Sequence, residues 1–384
     1  MTSLGNVEAT PLASLTFISF TEGDILYLTG SAKNLYGAEA RAVMPLQDAL
    51  TEVLVTGYTY VRDALPLRQR AGVGIQASPY SPPVKLLADE SPQSNIFSKD
   101  EEPSALLTRV EIHSPTLATF VWESSVKLSI RPGQAVILDL STILGSREYR
   151  HMAAGRPSLV NDDFIRTWTV SSSTEHDSDS RLFSLTIREK FGGTVTTALF
   201  DLIRKLSEYK PEALGDSRAL GLTVAVVGVT GDFCLRIPEV NVDMPRTFFW
   251  ISGGIGITPF LSMLGALKYK PGTPALDITL VVSTREPPVI LSLIESSLNP
   301  SNPHIQLFIH VFTHVTSPIQ SKLSLDVHPG RLELSFFESQ RPKLEAKNTE
   351  VFVCGPEPFE QVVLDYLNRV GIEEKNVQRE VFSY

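Results

Sequence analysis

Three groups of residues have the types and spacing to hold phosphate groups beside a flat ring. The first is Trp250-Ile251-Ser252-Gly253-Gly254-Ile255-Gly256-Ile257-Thr258-Pro259, which follows the apolar run from Phe248 to Ile251. Gly253, Gly254 and Gly256 let the chain turn sharply and admit a ligand close to the main chain. Thr258 is expected to cap the next helix, Pro259 suits its first turn, and Phe260, Leu261, Leu264 and Leu267 recur at helical spacing. Such a helix N-terminus attracts phosphate. The second group is Gly192-Gly193-Thr194-Val195-Thr196, another glycine turn at an expected helix start. The third is Arg166-Thr167-Trp168-Thr169, where strand alternation puts a cation and a large aromatic plane on one face. Each group also has a plain structural reading: a tight strand-to-helix connection, a routine helix cap, and a barrel strand with a partly buried Trp.

The elements that must position these residues fall into two patterns. From Leu106 the chain reads as short strands with turn signals: Leu107 to Ile112, Leu117 to Trp122, Val126 to Ile130, then Arg131-Pro132-Gly133-Gln134 and Ala135 to Leu140. Leu182 to Arg188 adds a further strand, and together these predict a small antiparallel barrel. After Trp250 the chain alternates strand and helix: Asp277 to Ser283, Val289 to Leu298, Ile305 to Phe312, Leu332 to Phe337, Glu350 to Cys354, Pro356 to about Val370, and Asn376 to Phe382. That alternation predicts a Rossmann-like α/β parallel sheet covered on both faces, with ligands beyond the C-terminal strand ends. Gly253, Arg285 and Cys354 all fall at such ends.

The expected fold is therefore α+β and multidomain: a small β-rich segment over residues 1–75, a Pro- and Ser-rich linker over 76–104, an antiparallel β-barrel domain over 105–240, and a Rossmann-like α/β domain over 241–384. At 384 residues the chain has room for these cores. Its 42% hydrophobic and 20% charged content is that of a globular protein, and a net charge of −9 argues against nucleic-acid partners. No apolar run approaches membrane-spanning length, and the N-terminus lacks a secretion signal, so a reducing, cytoplasmic setting is expected. Two cysteines, Cys234 and Cys354, are too few for a disulfide framework, and the seven histidines show no metal-ligand spacing, so no metal is expected.

Taken in order, Arg166-x-Trp168-Thr169-x-x-Ser172, Gly193-x-x-Thr196, Gly253-Gly254-x-Gly256-x-Thr258-Pro259 and Cys354-Gly355-Pro356 resemble the ferredoxin–NADP reductase superfamily over about residues 105–384. Gly256 to Leu264 and the ending Glu380-Val381-Phe382 look most like flavohaemoglobin-type and fungal FAD-binding reductases. Near the N-terminus, Phe17 to Phe20 with Gly23 to Gly30 resembles part of a pyridoxamine-phosphate-oxidase-like split barrel.

The reductase resemblance implies FAD and either NADPH or NADH as cofactors. It places Arg166, Trp168, Thr169, Arg188, Gly192, Gly193 and Thr196 around the flavin, with Ser172 near the hydride-accepting nitrogen. It places Gly253, Gly254, Gly256 and Thr258 on the nicotinamide dinucleotide, Cys354 near the nicotinamide, and Phe382 or Tyr384 over the flavin face. Arg285 would favour a ribose 2′-phosphate. Departures from the pattern are Trp168 where the family usually has Tyr, and Val229-Thr230 where it tends to have Gly-Pro. The implied activity is hydride transfer from NAD(P)H to FAD and on to a small-molecule substrate or external electron acceptor. Two alternatives remain at this level: a flavin-dependent tailoring enzyme of small-molecule biosynthesis that binds substrate in the nicotinamide crevice, and a non-catalytic flavoprotein scaffold.

Overall fold

The computed structural model describes the chain except residues 1, 71, 74–77, 79–85, 91–94, 99–100, 145–161, 174–180, 236–245, 268–275, 299–304, 347 and 382–384. Phe382 and Tyr384 therefore lie outside the described residues. The chain divides into two compact units, one of residues 1–92 with 149–162 and one of residues 93–148 with 163–384.

The first unit holds α1 (Thr2–Ala9), β1 (Leu12–Ile18), β2 (Ile25–Tyr36), α2 (Ala38–Val43) and β3 (Ala49–Val61). The strands form an open antiparallel sheet in the order β1-β2-β3. Asn34 of β2 ties the sheet to α1 through its amide, which donates to the Leu4 carbonyl at 2.8 Å. Leu12, Phe17, Leu54 and Tyr58 are exposed, so few of this sheet's apolar side chains enter a core.

The second unit begins with an antiparallel layer. It is built from β4 (Asn95–Ile96), β5 (Ser104–Ser114), β6 (Leu117–Ser124), β7 (Ala135–Asp139), β8 (Ile165–Thr169), β9 (Leu182–Arg188) and β10 (Thr223–Thr230), with the short α3 (Ser141–Leu144), the longer α4 (Thr194–Tyr209) and α5 (Glu212–Gly215) between them. Strand order is β8-β7-β10-β5-β6-β9, and β4 pairs with β10. Alternate residues of β5, β6 and β9 fill the core with Leu107, Phe120, Trp122, Phe183 and Leu185. Val195, Leu199, Phe200 and Ile203 of α4 cover it at helical spacing.

The expected strand Val126 to Ile130 does not form. Leu128 and Ile130 are buried in the core, but the segment joins no ladder, and the Arg131 to Gln134 turn follows at once. Alternating burial alone therefore mimicked a strand.

The parallel layer contains β11 (Arg246–Gly253), α6 (Thr258–Ala266), β12 (Leu276–Ser283), α7 (Pro287–Ser297), β13 (Ile305–Thr313), β14 (Leu325–Pro329), α8 (Leu334–Leu344), β15 (Thr349–Gly355), α9 (Glu357–Arg369) and β16 (Val377–Val381). The order is β14-β13-β12-β11-β15-β16, and every pair is parallel. Its two faces bury separate cores, Trp250, Phe260 and Leu280 on one and Phe249, Ile251 and Phe337 on the other, which is why the central strands read as continuous apolar runs. The architecture is thus an antiparallel barrel layer followed by a Rossmann-like parallel sheet, with a small β-rich N-terminal unit.

Within the second unit the two layers are joined at named points. Gly133, at φ 99°, donates its N–H to Ser262 Oγ of α6 at 3.3 Å. A Cβ there would collide with the Phe233 carbonyl oxygen, so only glycine lets this turn approach so closely. Arg188 at the end of β9 pairs with Glu286 just before α7 at 2.5 Å.

Candidate active site

Strand register brings the C-terminal ends of β11, β12 and β15 level. Gly253 lies opposite Ser283, and Ser252 lies opposite Cys354. A single 3₁₀ turn, Gly254–Ile257, leads from β11 into α6 and touches both β15 and β9. This is the crevice beyond the strand ends where open parallel sheets bind ligands.

The glycines of this turn have different physical duties. A Cβ on Gly256 would collide with the Cys354 carbonyl, and one on Gly253 would stand 2.6 Å from Phe359 Cδ1. Both are needed because the turns after β11 and β15 press on one another. Gly254, in contrast, has φ 56° and nothing within 4 Å of where a Cβ would stand, so it borders open space. Thr258 does not cap α6 as expected. Ile257 occupies the cap position without a side-chain bond, and the Thr258 hydroxyl donates to the Ile255 carbonyl at 3.2 Å.

The Gly192–Gly193 turn is similar. Gly192 has φ 73° with open space beside it, and Gly193 caps α4 without a side-chain bond. Thr196 Oγ1 accepts from the Lys190 N–H at 3.1 Å, so it braces this turn from within. Both helices thus begin without a side-chain cap, but at α6 the Thr258 N–H is taken by the Ile255 carbonyl and Pro259 has none, so α4 is the start better suited to a ligand.

Ser172 sits where the barrel closes. The Ser171 N–H donates to the Ser184 carbonyl at 2.9 Å, and the Ser184 N–H donates to Ser172 Oγ at 2.9 Å, so a side chain takes the place of a ladder carbonyl. The Ser172 O–H remains able to donate. Behind it runs a line of hydroxyls that sequence reading missed: Thr186 Oγ1 donates to Ser171 Oγ at 2.9 Å, Thr119 lies 2.8 Å from Thr186, and His113 Nε2 lies 2.7 Å from Thr119. These residues stand on different strands and carry no common motif. Thr119 and Thr186 pair across β6 and β9 on the face opposite the core residues Phe120 and Leu185, and only that shared face links them.

Arg166 and Trp168 do share a face of β8, opposite Leu138 and Val136 of β7. Arg166 is partly exposed, donates to the Ile165 carbonyl at 2.8 Å and stands 3.8 Å from Asp163. Trp168 is half-buried against the barrel core. Arg188, placed on the flavin by the resemblance, is engaged by Glu286 and also reaches Thr116 Oγ1 at 3.3 Å. Arg285 is exposed directly after β12.

Cys354 is fully buried. Burial pushes its thiol well above the usual range, and the negative charges of Glu380 and Glu360 push the same way. Burial therefore favours its neutral thiol form. Glu380 faces Cys354 across the β15–β16 ladder, and burial raises its carboxyl to about 7, with Asp232 and Glu360 adding. Glu360 on α9 is raised to about 7, again chiefly by burial. Two carboxyls that can hold protons near neutral pH thus flank the thiol.

A dinucleotide with a flat ring fits these residues. Thr169 Oγ1 at the end of β8 and Ser252 Oγ at the end of β11 are buried with no hydrogen-bond partner among the described residues. Such orphaned hydroxyls at two strand ends are suited to polar ligand groups.

Comparison with known proteins gives the following similarities. Residues 250–365 match the family described as oxidoreductase NAD-binding domain. Over 290 residues the chain is 24% identical to the stachydrine N-demethylase reductase subunit Stc4 of Rhizobium meliloti (strain 1021), covering 75% of this chain and 68% of that one. It is 26% identical over 187 residues to a flavohemoprotein of Bacillus thuringiensis subsp. konkukian (strain 97-27), covering 47% of this chain and 41% of that one. Among solved structures, the ferredoxin reductase in carbazole 1,9a-dioxygenase aligns with a TM-score of 0.48 and 14% identity, over 74% of this chain and 70% of that one. Residues 250–365 thus form an oxidoreductase NAD-binding domain. The chain spans less than half the length of the flavohemoprotein it matches.

Proposed function

We propose that this chain is the electron-entry component of a redox system, taking hydride from NAD(P)H onto FAD and handing electrons to a separate acceptor protein. The observation that carries the reading is the meeting, within one compact unit, of the barrel strand β9 with the 3₁₀ turn after β11, whose Gly256 packs on the Cys354 carbonyl. Similarity to the reductase subunit of an N-demethylase supports a protein acceptor.

FAD, when bound, supplies the centre that accepts hydride and releases electrons. The chain's own residues provide binding, orientation and exclusion of water. Arg166, Trp168, Thr169 and the uncapped start of α4 would hold the flavin, and the open side of Gly254 would admit the nicotinamide dinucleotide. Arg285 offers a guanidinium to a ribose phosphate and favours NADPH. The Ser172 O–H, its oxygen held by the Ser184 N–H, would be the donor offered to the reacting edge of the flavin. The neutral Cys354 thiol occupies the floor of the crevice and keeps water out.

The test is turnover of the FAD-loaded protein with NADPH and a dye acceptor. Ser172→Ala is expected to lower kcat by about 10- to 100-fold while FAD stays bound, since a donor aimed at developing charge is lost. Cys354→Ala is expected to change kcat by less than about tenfold. Unchanged turnover in Ser172→Ala would remove Ser172 from the reacting centre.

A further inference from the structure

On the far edge of the parallel sheet from Cys354, three side chains of metal-ligating type converge. His310 on β13 lies opposite Asp326 on β14, and Phe312 lies opposite His328. In a parallel pair, residues in register share a face, so His310, Asp326 and His328 stand on one side of the sheet. His310 Nδ1 is 3.1 Å from His328 Nε2, and one ligand atom from each of the three residues lies within 4.8 Å of the others.

The rings are held in place by aromatics. His328 stacks on Phe312 with centroids 4.5 Å apart and planes 12° apart. His310 meets the edges of Phe308 and Phe336 at 5.0 and 4.9 Å. His310 is buried while Asp326 is exposed, so the cluster is anchored in the core and opens to solvent. The nearby ammonium of Lys343 is engaged by Asp277 at 2.9 Å.

We propose that His310, His328 and Asp326 form a binding site for a divalent transition ion, Zn²⁺ above all, which cross-links β13 to the edge strand β14. Two imidazoles and a carboxylate are a borderline donor set that disfavours Ca²⁺ and Mg²⁺, which take oxygen ligands. In a tetrahedral centre with metal–nitrogen bonds of about 2.0–2.1 Å, two ligand nitrogens stand about 3.3 Å apart. The observed 3.1 Å is within a small adjustment of that. A hydrogen bond between the two imidazoles would explain this spacing but not the converging carboxylate. Three protein ligands leave an outer position for water, on the side where Asp326 meets solvent.

The experiment is calorimetric titration of the FAD-loaded full chain with Zn²⁺, paired with Zn K-edge X-ray absorption of the loaded protein. The expected result is one ion per chain, a first shell of nitrogen and oxygen, and a rise in Tm with Zn²⁺. Asp326→Asn, an exposed change that leaves the core intact, should weaken binding at least about tenfold, and His328→Gln with Asp326→Asn should abolish it. NADPH–dye turnover of these variants should be retained, which separates the site from the flavin chemistry. Absence of binding, a sulfur-containing shell, or unchanged affinity in the double variant would each overturn the proposal; the first would leave the imidazoles as a hydrogen-bonded pair.

Discussion

At the scale of single residues, the glycine turn after β11 shows how one motif can carry separate duties. Gly253 and Gly256 permit packing between turns, whereas Gly254 alone borders open space. Gly256→Ala is therefore expected to destabilise the fold by about 2–4 kcal/mol, because the added methyl meets a backbone carbonyl that cannot withdraw. Gly254→Ala, at φ 56°, should cost only about 1–2 kcal/mol of backbone strain. Urea unfolding of the two variants measures the difference, and equal losses would contradict the division of roles. Arg285 makes a kinetic prediction. Arg285→Ala should raise KM for NADPH about tenfold, leave kcat unaltered and leave KM for NADH nearly unchanged, because only the 2′-phosphate loses its partner. A parallel rise for both nucleotides would place Arg285 away from that phosphate.

At the scale of elements, what could be read in advance was whatever has a local period or a turn. The strand-to-helix alternation from Trp250 onward, the helix after Gly193 and the shared face of Arg166 and Trp168 all follow from residue order. The segment Val126 to Ile130 did not, because whether an alternating run joins a ladder depends on a neighbour elsewhere in the chain. The His310, Asp326 and His328 cluster was also hidden, since its members meet through the register of two strands and not through spacing along one. Glu380 was visible as part of an ending, but its raised pKa comes from burial under distant elements. Glu360 yields a pH prediction. Its carboxyl has a folded-state pKa of about 7 against 4.5 when unfolded, so its charge opposes folding. That penalty is nearly absent below pH 4.5, grows as pH rises and is complete above pH 7. Glu360→Gln should therefore stabilise the protein by on the order of 1–2 kcal/mol at pH 8 and have little effect at pH 4.5. Thermal unfolding at the two pH values reads this directly, and an equal shift at both would refute the assignment.

At the scale of the whole molecule, the second unit works as a pair of layers held at fixed contacts, with Arg188 and Glu286 bridging them at 2.5 Å. The pair is about a third exposed, so its contribution to stability is small, about 0.5–1 kcal/mol. Its effect on alignment is expected to be larger. Reversing either charge alone, Arg188→Glu or Glu286→Arg, should slow hydride transfer several-fold, and the double reversal should recover most of the rate. No recovery in the double variant would show that Arg188 acts on the cofactor itself. Among the described residues no helix is long and apolar enough to cross a membrane. The central claim is that a nicotinamide enters the crevice between the Gly254–Ile257 turn and the barrel and delivers hydride to FAD. Anaerobic rapid mixing of the FAD-loaded protein with NADPH, and separately with NADH, followed at the flavin absorbance, tests this most directly. Bleaching of the bound flavin within a single turnover, faster with NADPH, is the predicted result; an FAD-loaded protein whose absorbance stays unchanged with both nucleotides would contradict the account.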